Sequence, residues 1–227
     1  MDSTGNKIID YYDRLAPDYD RDRFGNTYGN FIDAEERYAL DRLLGQPRGH
    51  VLEMACGTGR LLDYADCGID ASEKMLAEAR RKFPHKDLRQ ALAQDTPFGD
   101  ATFDAVYAFH LMMHLAPETI GDILREAYRL LKPGGRFIFD IPSRRRRKVR
   151  SGRQEGGWHG NTALDAADVE SLSQGRFAIS SVGGILFLPI HRFPVAWRSS
   201  LLRADRRLAR GWLKNYSSYL IFELRKP

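Results

Sequence analysis

A chain of 227 residues with 43% hydrophobic and 11% aromatic side chains can bury one sizeable core, which excludes a disordered or low-complexity polypeptide. Only Cys56 and Cys67 are present, excluding a disulfide-stapled fold and a cysteine-ligated zinc site, and apolar runs such as Gly183 to Ile190 fall short of the ~20 residues a spanning helix needs. The net charge of +5 is unevenly placed: Met1 to Asp140 holds 18 Lys/Arg against 24 Asp/Glu, net −6, and Ile141 onward holds 17 against 6, net +11. A basic half suits an anionic small molecule, nucleic acid or a membrane surface, and equally a plain solvated face.

The opening Met1-Asp2-Ser3-Thr4-Gly5 has neither a basic n-region nor an apolar h-region, so the expected location is the cytoplasm. Residues 1–45 read as helical, with tyrosines at 11, 12, 19, 28 and 38, and must lie over the sheet or its C-terminal edge. Residues 46–141 alternate between the two periodicities. Strands are predicted at His50–Ala55, Cys67–Asp70, Leu88–Ala93, Phe103–Phe109 and Gly135–Ile141. Helices are predicted at Arg60–Ala65, Ser72–Phe83 and Pro117–Leu131. Ser72 supplies an N-cap hydroxyl, and Lys132-Pro133-Gly134-Gly135 stops the last helix.

Residues 142–227 change character. A basic loop, Arg144–Arg153, precedes a short helix at Thr162–Gln174. A β-rich stretch, Phe177–Leu188, is interrupted at Gly183-Gly184. A basic amphipathic helix, Val195–Lys214, leads to a last strand, Tyr216–Leu224. The expectation is one α/β domain with a Rossmann-like, seven-stranded, mostly parallel sheet, an antiparallel C-terminal edge strand and helices on both faces.

The sharpest local feature is Val51-Leu52-Glu53-Met54-Ala55-Cys56-Gly57-Thr58-Gly59. A strand running into Gly-x-Gly lets backbone approach a ligand closely. The dinucleotide fingerprint is incomplete, because Leu62 stands where a third small residue belongs. Asp70 ends the second strand, where a carboxylate can take both hydroxyls of a ribose. Asp95-Thr96 follows the third strand and can receive an adenine amino group. All of these fall at the carboxyl ends of the strands.

Together with Gly68-Ile69-Asp70-Ala71-Ser72-Glu73-Lys74-Met75-Leu76, Phe103-Asp104, His110 to Leu115 and Arg129 to Gly135, these motifs resemble the class I S-adenosylmethionine-dependent methyltransferases over residues 7–141. The resemblance implies S-adenosyl-L-methionine as cofactor and S-adenosyl-L-homocysteine as product. It places Glu53, Ala55, Gly57 and Gly59 at the methionine moiety, with Cys56 a small filler in the same turn. It places Asp70 at the ribose, Ala71 and Met75 on the adenine face, Asp95 and Thr96 at the adenine edge, and Phe109 and His110 near the sulfonium. Tyr11 to Asp20 looks like the lid of small-molecule members, with Tyr12 and Tyr19 covering the cofactor; packing within an N-terminal helix is the alternative. One departure is that Asp70 follows Gly59 by 11 residues, against roughly 20 in dinucleotide sites, so the first helix has only about two turns, ~10 Å.

Several groups are candidates for chemistry. His110 and His114, four apart, would share a helical face, and either can accept a proton near neutrality. No metal is expected, because a third ligand in the right context is missing. By resemblance His114 is the better base and His110 the better pocket wall. Asp140 can orient a histidine, touch substrate or pair with the arginines after it, and Tyr19 joins the catalytic set through its phenol. Arg144 to Arg150, with Trp158, His159 and Asn161, can clamp an anionic acceptor or form a solvated or nucleic-acid-binding loop. Trp197 to Lys214 suits a membrane surface or an acidic carrier protein, or packs with a solvated face. The expected activity is methyl transfer to oxygen or nitrogen of a small biosynthetic acceptor. The rivals are a nucleic-acid methyltransferase, disfavoured by Ala108-Phe109-His110-Leu111 where that class has an Asn/Asp-Pro-Pro-aromatic motif, and a cofactor-binding protein without turnover.

Overall fold

A computed structural model of the chain describes residues 3–150 and 160–227. Three helices open it: α1 (Ser3–Leu15), α2 (Tyr19–Phe24) and α3 (Thr27–Leu44). Then come β1 (Val51–Met54), β2 (Cys67–Asp70), α4 (Glu73–Lys82), β3 (Asp87–Gln90), β4 (Phe103–Ala108), α5 (Pro117–Leu130) and β5 (Leu131–Pro142). The remainder is α6 (Arg144–Arg150), α7 (Ala166–Ser173), β6 (Ala178–Ile185), α8 (Val195–Arg210) and β7 (Tyr219–Arg225). Seven strands order as β3-β2-β1-β4-β5-β7-β6, parallel except for β7, which is inserted antiparallel between β5 and the outermost β6, so the expected antiparallel C-terminal edge is the β5-β7-β6 side of the sheet. Strand order reverses between β1 and β4, so the crevice at their carboxyl ends is the place a ligand would enter.

The side-chain period of two sorts β5 onto two cores. Phe137 and Phe139 join Leu52, Met54 and Val106 beneath α5, whose Ile120, Ile123, Leu124 and Ala127 repeat at helical spacing. Ile138 faces the other way, toward Val51, Tyr107 and the Leu40, Leu43 and Leu44 stripe of α3. Each such fully buried side chain contributes roughly 1.5–3 kcal/mol, so the sheet's position under α3 and α5 is strongly fixed.

Three local expectations are corrected. The helix expected at Arg60–Ala65 is a single 3-10 turn, Leu62–Tyr64, because the chain must already pair as β2 from Cys67. The expected basic loop is helical from Arg144: Ser143 Oγ accepts the Arg146 amide at 3.2 Å, and Arg and Lys lose little rotamer freedom in a helix. Gly183-Gly184 does not interrupt a strand but lies inside β6, where Gly184 approaches Ser217 so closely that a Cβ would sit 2.1 Å from its Oγ. The β6 irregularity falls earlier, between Ile179 and Ser181. Trp158 and His159 lie outside the described residues. Among the described residues, no helix is long and apolar enough to cross a membrane.

Candidate functional site

The turn after β1 is shaped by left-handed backbone at Ala55 (φ +55°), Gly57 (+53°) and Gly59 (+84°). At Gly59 a Cβ would meet Leu62 Cδ1 at 2.9 Å, so glycine is needed for packing as well as for φ. At Gly57 nothing stands within 4 Å of where a Cβ would be, so the glycine leaves a cradle on the crevice side. The Gly57 amide donates to Asp70 Oδ2 and the Ser72 amide to Oδ1, each at 2.8 Å. Burial pushes the Asp70 carboxyl up to about 6, and those two amides hold it from rising further. Ser72 Oγ accepts the Met75 amide, the expected cap of α4.

A cavity of about 500 Å³ opens above this turn. Tyr12, Tyr19, Ala55, Gly57, Asp70, Ala71, Met75, Phe109, His110 and His114, all singled out from sequence, line it. Six others do not. Glu53 is buried behind β1, where Tyr107 donates to it at 3.2 Å and burial pushes its carboxyl up to about 8. Cys56 turns into the core against Gly68. Gly59 packs on Leu62, Phe83 and Ala79. Asp95 is exposed, and the Thr96 amide and hydroxyl both donate to Glu126 Oε1, at 3.0 and 2.6 Å. Those two bonds turn Thr96 toward α5, so Ala91 to Gln94 line the cavity in place of the Asp95-Thr96 pair. Asp140 stands behind His110 and not on the cavity.

Sequence reasoning missed the floor of the lid: Ile8 and Ile9 of α1 line the cavity beside Tyr12, a helical apolar stripe that periodicity could have shown. Two carboxylates pin this lid. Asp13 accepts from Ser72 Oγ, and Asp20 accepts from Thr58 Oγ1 at 2.5 Å and pairs with Lys82.

The two histidines do not share a face. His110 takes left-handed backbone (φ +58°), which breaks any helix there, and a 3-10 turn, Met112–His114, follows. His114 Nδ1 accepts the Gly160 amide at 3.1 Å, so the neutral ring carries its proton on Nε2, 3.0 Å from the Tyr12 hydroxyl, and donates it there. With both nitrogens engaged, His114 is a positioned donor more than a general base. Burial drives the Tyr12 phenol well above its usual range and pushes Tyr19 up to about 12, so both remain protonated.

His110 Nε2 lies 2.6 Å from Glu36 Oε1, and its backbone amide donates to Asp140 Oδ1 at 2.6 Å. Arg60 pairs with Glu36 at 2.5 Å and Asp33 at 2.6 Å, and lies 4.0 Å over the Phe24 ring. Glu36 was not legible in sequence. Its Oε1, His110 and Asp140 offer metal-ligand atoms within 4.8 Å of one another. Yet the 2.6 Å His110–Glu36 contact is tighter than two ligands of one ion, which sit roughly 3 Å or more apart at ~2.1 Å bond lengths. The cluster is a chain of direct side-chain contacts running from Arg60 through Glu36 to His110.

Three arginines of α6 are engaged within the protein. Arg144 pairs with Asp168 at 2.7 Å, Arg146 donates to the Phe187 and Tyr216 carbonyls, and Arg147 donates to the Asn161 and Gly160 carbonyls. These three arginines fix the 160–187 region and the segment before β7.

Residues 52–139 match the methyltransferase domain family. The demethylmenaquinone methyltransferase of Symbiobacterium thermophilum is 38% identical over 146 residues, 58% of this chain and 57% of that protein. The ubiquinone/menaquinone biosynthesis C-methyltransferase UbiE of Geotalea daltonii is 32% identical over 151 residues, 59% of this chain and 62% of that protein. The chain thus spans little more than half the length of these curated relatives. The S-adenosylmethionine-dependent methyltransferase of Thermotoga maritima superposes with a TM-score of 0.71 at 21% identity, covering 95% of this chain and 98% of that one. The magnesium protoporphyrin IX methyltransferase of Synechocystis, solved with bound S-adenosylhomocysteine, gives 0.69 at 15% identity over 98% and 100%.

Proposed function

We propose that the chain, whose residues 52–139 match the methyltransferase domain family, is a class I S-adenosylmethionine-dependent methyltransferase that methylates a small, largely apolar acceptor at a carbon activated by a neighbouring oxygen. The observation that carries this reading is the 500 Å³ cavity joining the Gly57–Asp70 cradle to His110 and His114 beneath an apolar lid. The cradle fits the cofactor: space at Gly57, a carboxylate at Asp70, Ala71 and Met75 beside it, and no phosphate-neutralising cation required. When bound there, S-adenosylmethionine supplies an electrophilic methyl group. The protein's part is to hold acceptor and methyl in line and to exclude water, the work of Ile8, Ile9, Tyr12 and Tyr19. Tyr12, receiving the His114 proton, keeps its own hydroxyl hydrogen to donate to an acceptor oxygen. Relatives named for demethylmenaquinone and for C-methylation support carbon over the oxygen or nitrogen expected from sequence. A lipid-soluble acceptor of that kind also suits the outer face of α8, which we assign to docking on an anionic bilayer.

Calorimetric titration with S-adenosylhomocysteine tests the cofactor site. Asp70→Ala and Gly57→Val should each weaken binding tenfold or more, ~1.4 kcal/mol. Unchanged affinity in both variants removes the assignment. With 1,4-dihydroxynaphthalene as acceptor probe, a ring-methylated product supports carbon transfer and a methyl ether refutes it.

A further inference from the structure

Behind the cavity wall, four titratable side chains from four segments, Glu36, Arg60, His110 and Asp140, meet out of water. Glu36 of α3 and Asp140 of β5 are 0% and 1% exposed. Glu36 Oε2 pairs with Arg60 at 2.5 Å, and its Oε1 lies 2.6 Å from His110 Nε2, a close contact out of hydrogen-bond alignment. Asp140 spends Oδ1 on the His110 amide, while Oδ2 is buried without a hydrogen-bond partner among the described residues, 3.8 Å from His110 Nδ1. Tyr219 of β7 and Phe24 of α2 close the remaining sides of the imidazole, with ring centroids 5.8 and 6.1 Å away. Charges this deep persist only when balanced. Arg60 already answers Asp33 and Glu36 together, and burial pushes the Asp140 carboxyl up to about 6, so the cation that favours its ionised form at closest range is His110, 3.8 Å away. His110 is also the one member of the chain that reaches the cavity.

We propose that Glu36, with Asp140, is a positioning residue that keeps His110 as an imidazolium, so that the cavity takes its acceptor as an oxygen anion, an ionised phenol, enol or acid, and no histidine removes the acceptor's proton. Burial alone would lower the His110 pKa, but the two carboxylates outweigh it and raise it, while Glu36 falls to about 2 under His110 and Arg60 despite its own burial. The acceptor gives its O–H proton to water before it binds. Its electron pair then forms the bond to the methyl carbon as the methyl–sulfur bond breaks and that pair returns to sulfur. One negative and one positive charge vanish together, and for attack through a ring carbon the neutral dienone so formed leaves the cavity, loses its ring hydrogen to water as a proton and takes one back on its oxygen. The part of this inference that concerns the acceptor rests on the methyl-transfer reading; the charge on His110 does not.

The test is long-range proton–nitrogen spectroscopy of the full chain labelled at histidine, with the His110 signals assigned by His110→Gln. Wild-type His110 should remain an imidazolium through neutral pH. Glu36→Gln should lower its midpoint by a pH unit or more, and Glu36→Asp should restore part of that shift, which a merely structural role would not. A neutral His110 at pH 7 in the wild type, or a midpoint indifferent to Glu36→Gln, overturns the proposal. The wild-type titration decides even if Glu36→Gln fails to fold. With 4-nitrophenol as probe, the wild type should bind the yellow phenolate and lower its apparent pKa, and His110→Gln should abolish that effect. Capture of the neutral phenol, or no difference between the two proteins, overturns anion selection. S-adenosylhomocysteine affinity is measured alongside: its absence with His110 charged would sink the methyltransferase reading alone.

Discussion

Glu53 sits one residue pair away from the cradle yet never reaches the cavity, and its environment makes a measurable statement about stability. Burial pushes its carboxyl from an ordinary 4.5 up to about 8, against the pull of Arg60 and the Tyr107 hydroxyl. A folded-state pKa above the unfolded value means stability that is complete below pH 4.5 and is lost as pH rises through about 8. The slope over that window is at most ~1.4 kcal/mol per pH unit. Glu53→Gln keeps an acceptor for Tyr107 and carries no charge, so its melting temperature should gain on wild type by several degrees between pH 5 and pH 8. A thermal-melt difference that is flat across that range would show Glu53 to be solvated. Residues of this scale were legible where the backbone constrains them. Gly57, Gly59 and Asp70 announce themselves because left-handed turns and a strand end leave few choices of residue. Glu36 announced nothing, since its partners Arg60 and His110 are distant in sequence and no spacing rule connects them. Thr96 misled for the same reason, its bonds being to Glu126 across a helix.

At the scale of elements, the lid is the part whose attachment is most economical. α1 and α2 touch the cradle through half-buried Asp13 on Ser72 and half-buried Asp20 on Thr58 and Lys82, while the α3 stripe beneath is fully buried. Local opening should therefore affect α1 and α2 first. Replacing Asp13 and Asp20 together with alanine removes two hydrogen bonds to charged acceptors, ~1.5–3 kcal/mol each when intact and less in these part-exposed settings. The expected result is faster amide exchange over α1 and α2, a several-fold weaker hold on S-adenosylhomocysteine, and unaltered exchange in β4 and β5. Equal protection of α1 in mutant and parent would mean that Ile8, Ile9 and Tyr12 alone hold the lid. Elements were read well wherever a periodic stripe or a cap existed, as at Ser72 and Pro117. They were misread at Arg60–Ala65 and at α6, where the number of residues available and one serine hydroxyl from the preceding strand decided the outcome.

Over the whole molecule, the uneven charge is partly consumed in joining the two halves. Arg206 of α8 grips Glu35 of α3 at 2.7 Å, and Arg210 reaches Tyr38 on the same helix. What remains on the outside of α8 is Arg203 and Arg207, both exposed, with Trp197 at 61% exposure and, two residues past the helix end, Trp212 at 87%. Exposed arginines and tryptophans carried by one element suit the headgroup layer of an anionic bilayer, where the indole lies among headgroups and the guanidinium among phosphates. The full chain is expected to sediment with phosphatidylglycerol-containing vesicles, to leave phosphatidylcholine vesicles in solution, and to release in high salt. Arg203→Glu with Arg207→Glu should weaken vesicle binding by about 30-fold or more, at ~1 kcal/mol per lost cation near the surface. Trp197→Ser with Trp212→Ser should remove the blue shift of tryptophan fluorescence that insertion produces, with S-adenosylhomocysteine affinity untouched because neither residue lines the cavity. Binding that ignores lipid charge, or that a short RNA abolishes while being methylated, would assign this face to a different partner. It would also return the basic half of the chain to the nucleic-acid reading that the residues after β4 argue against.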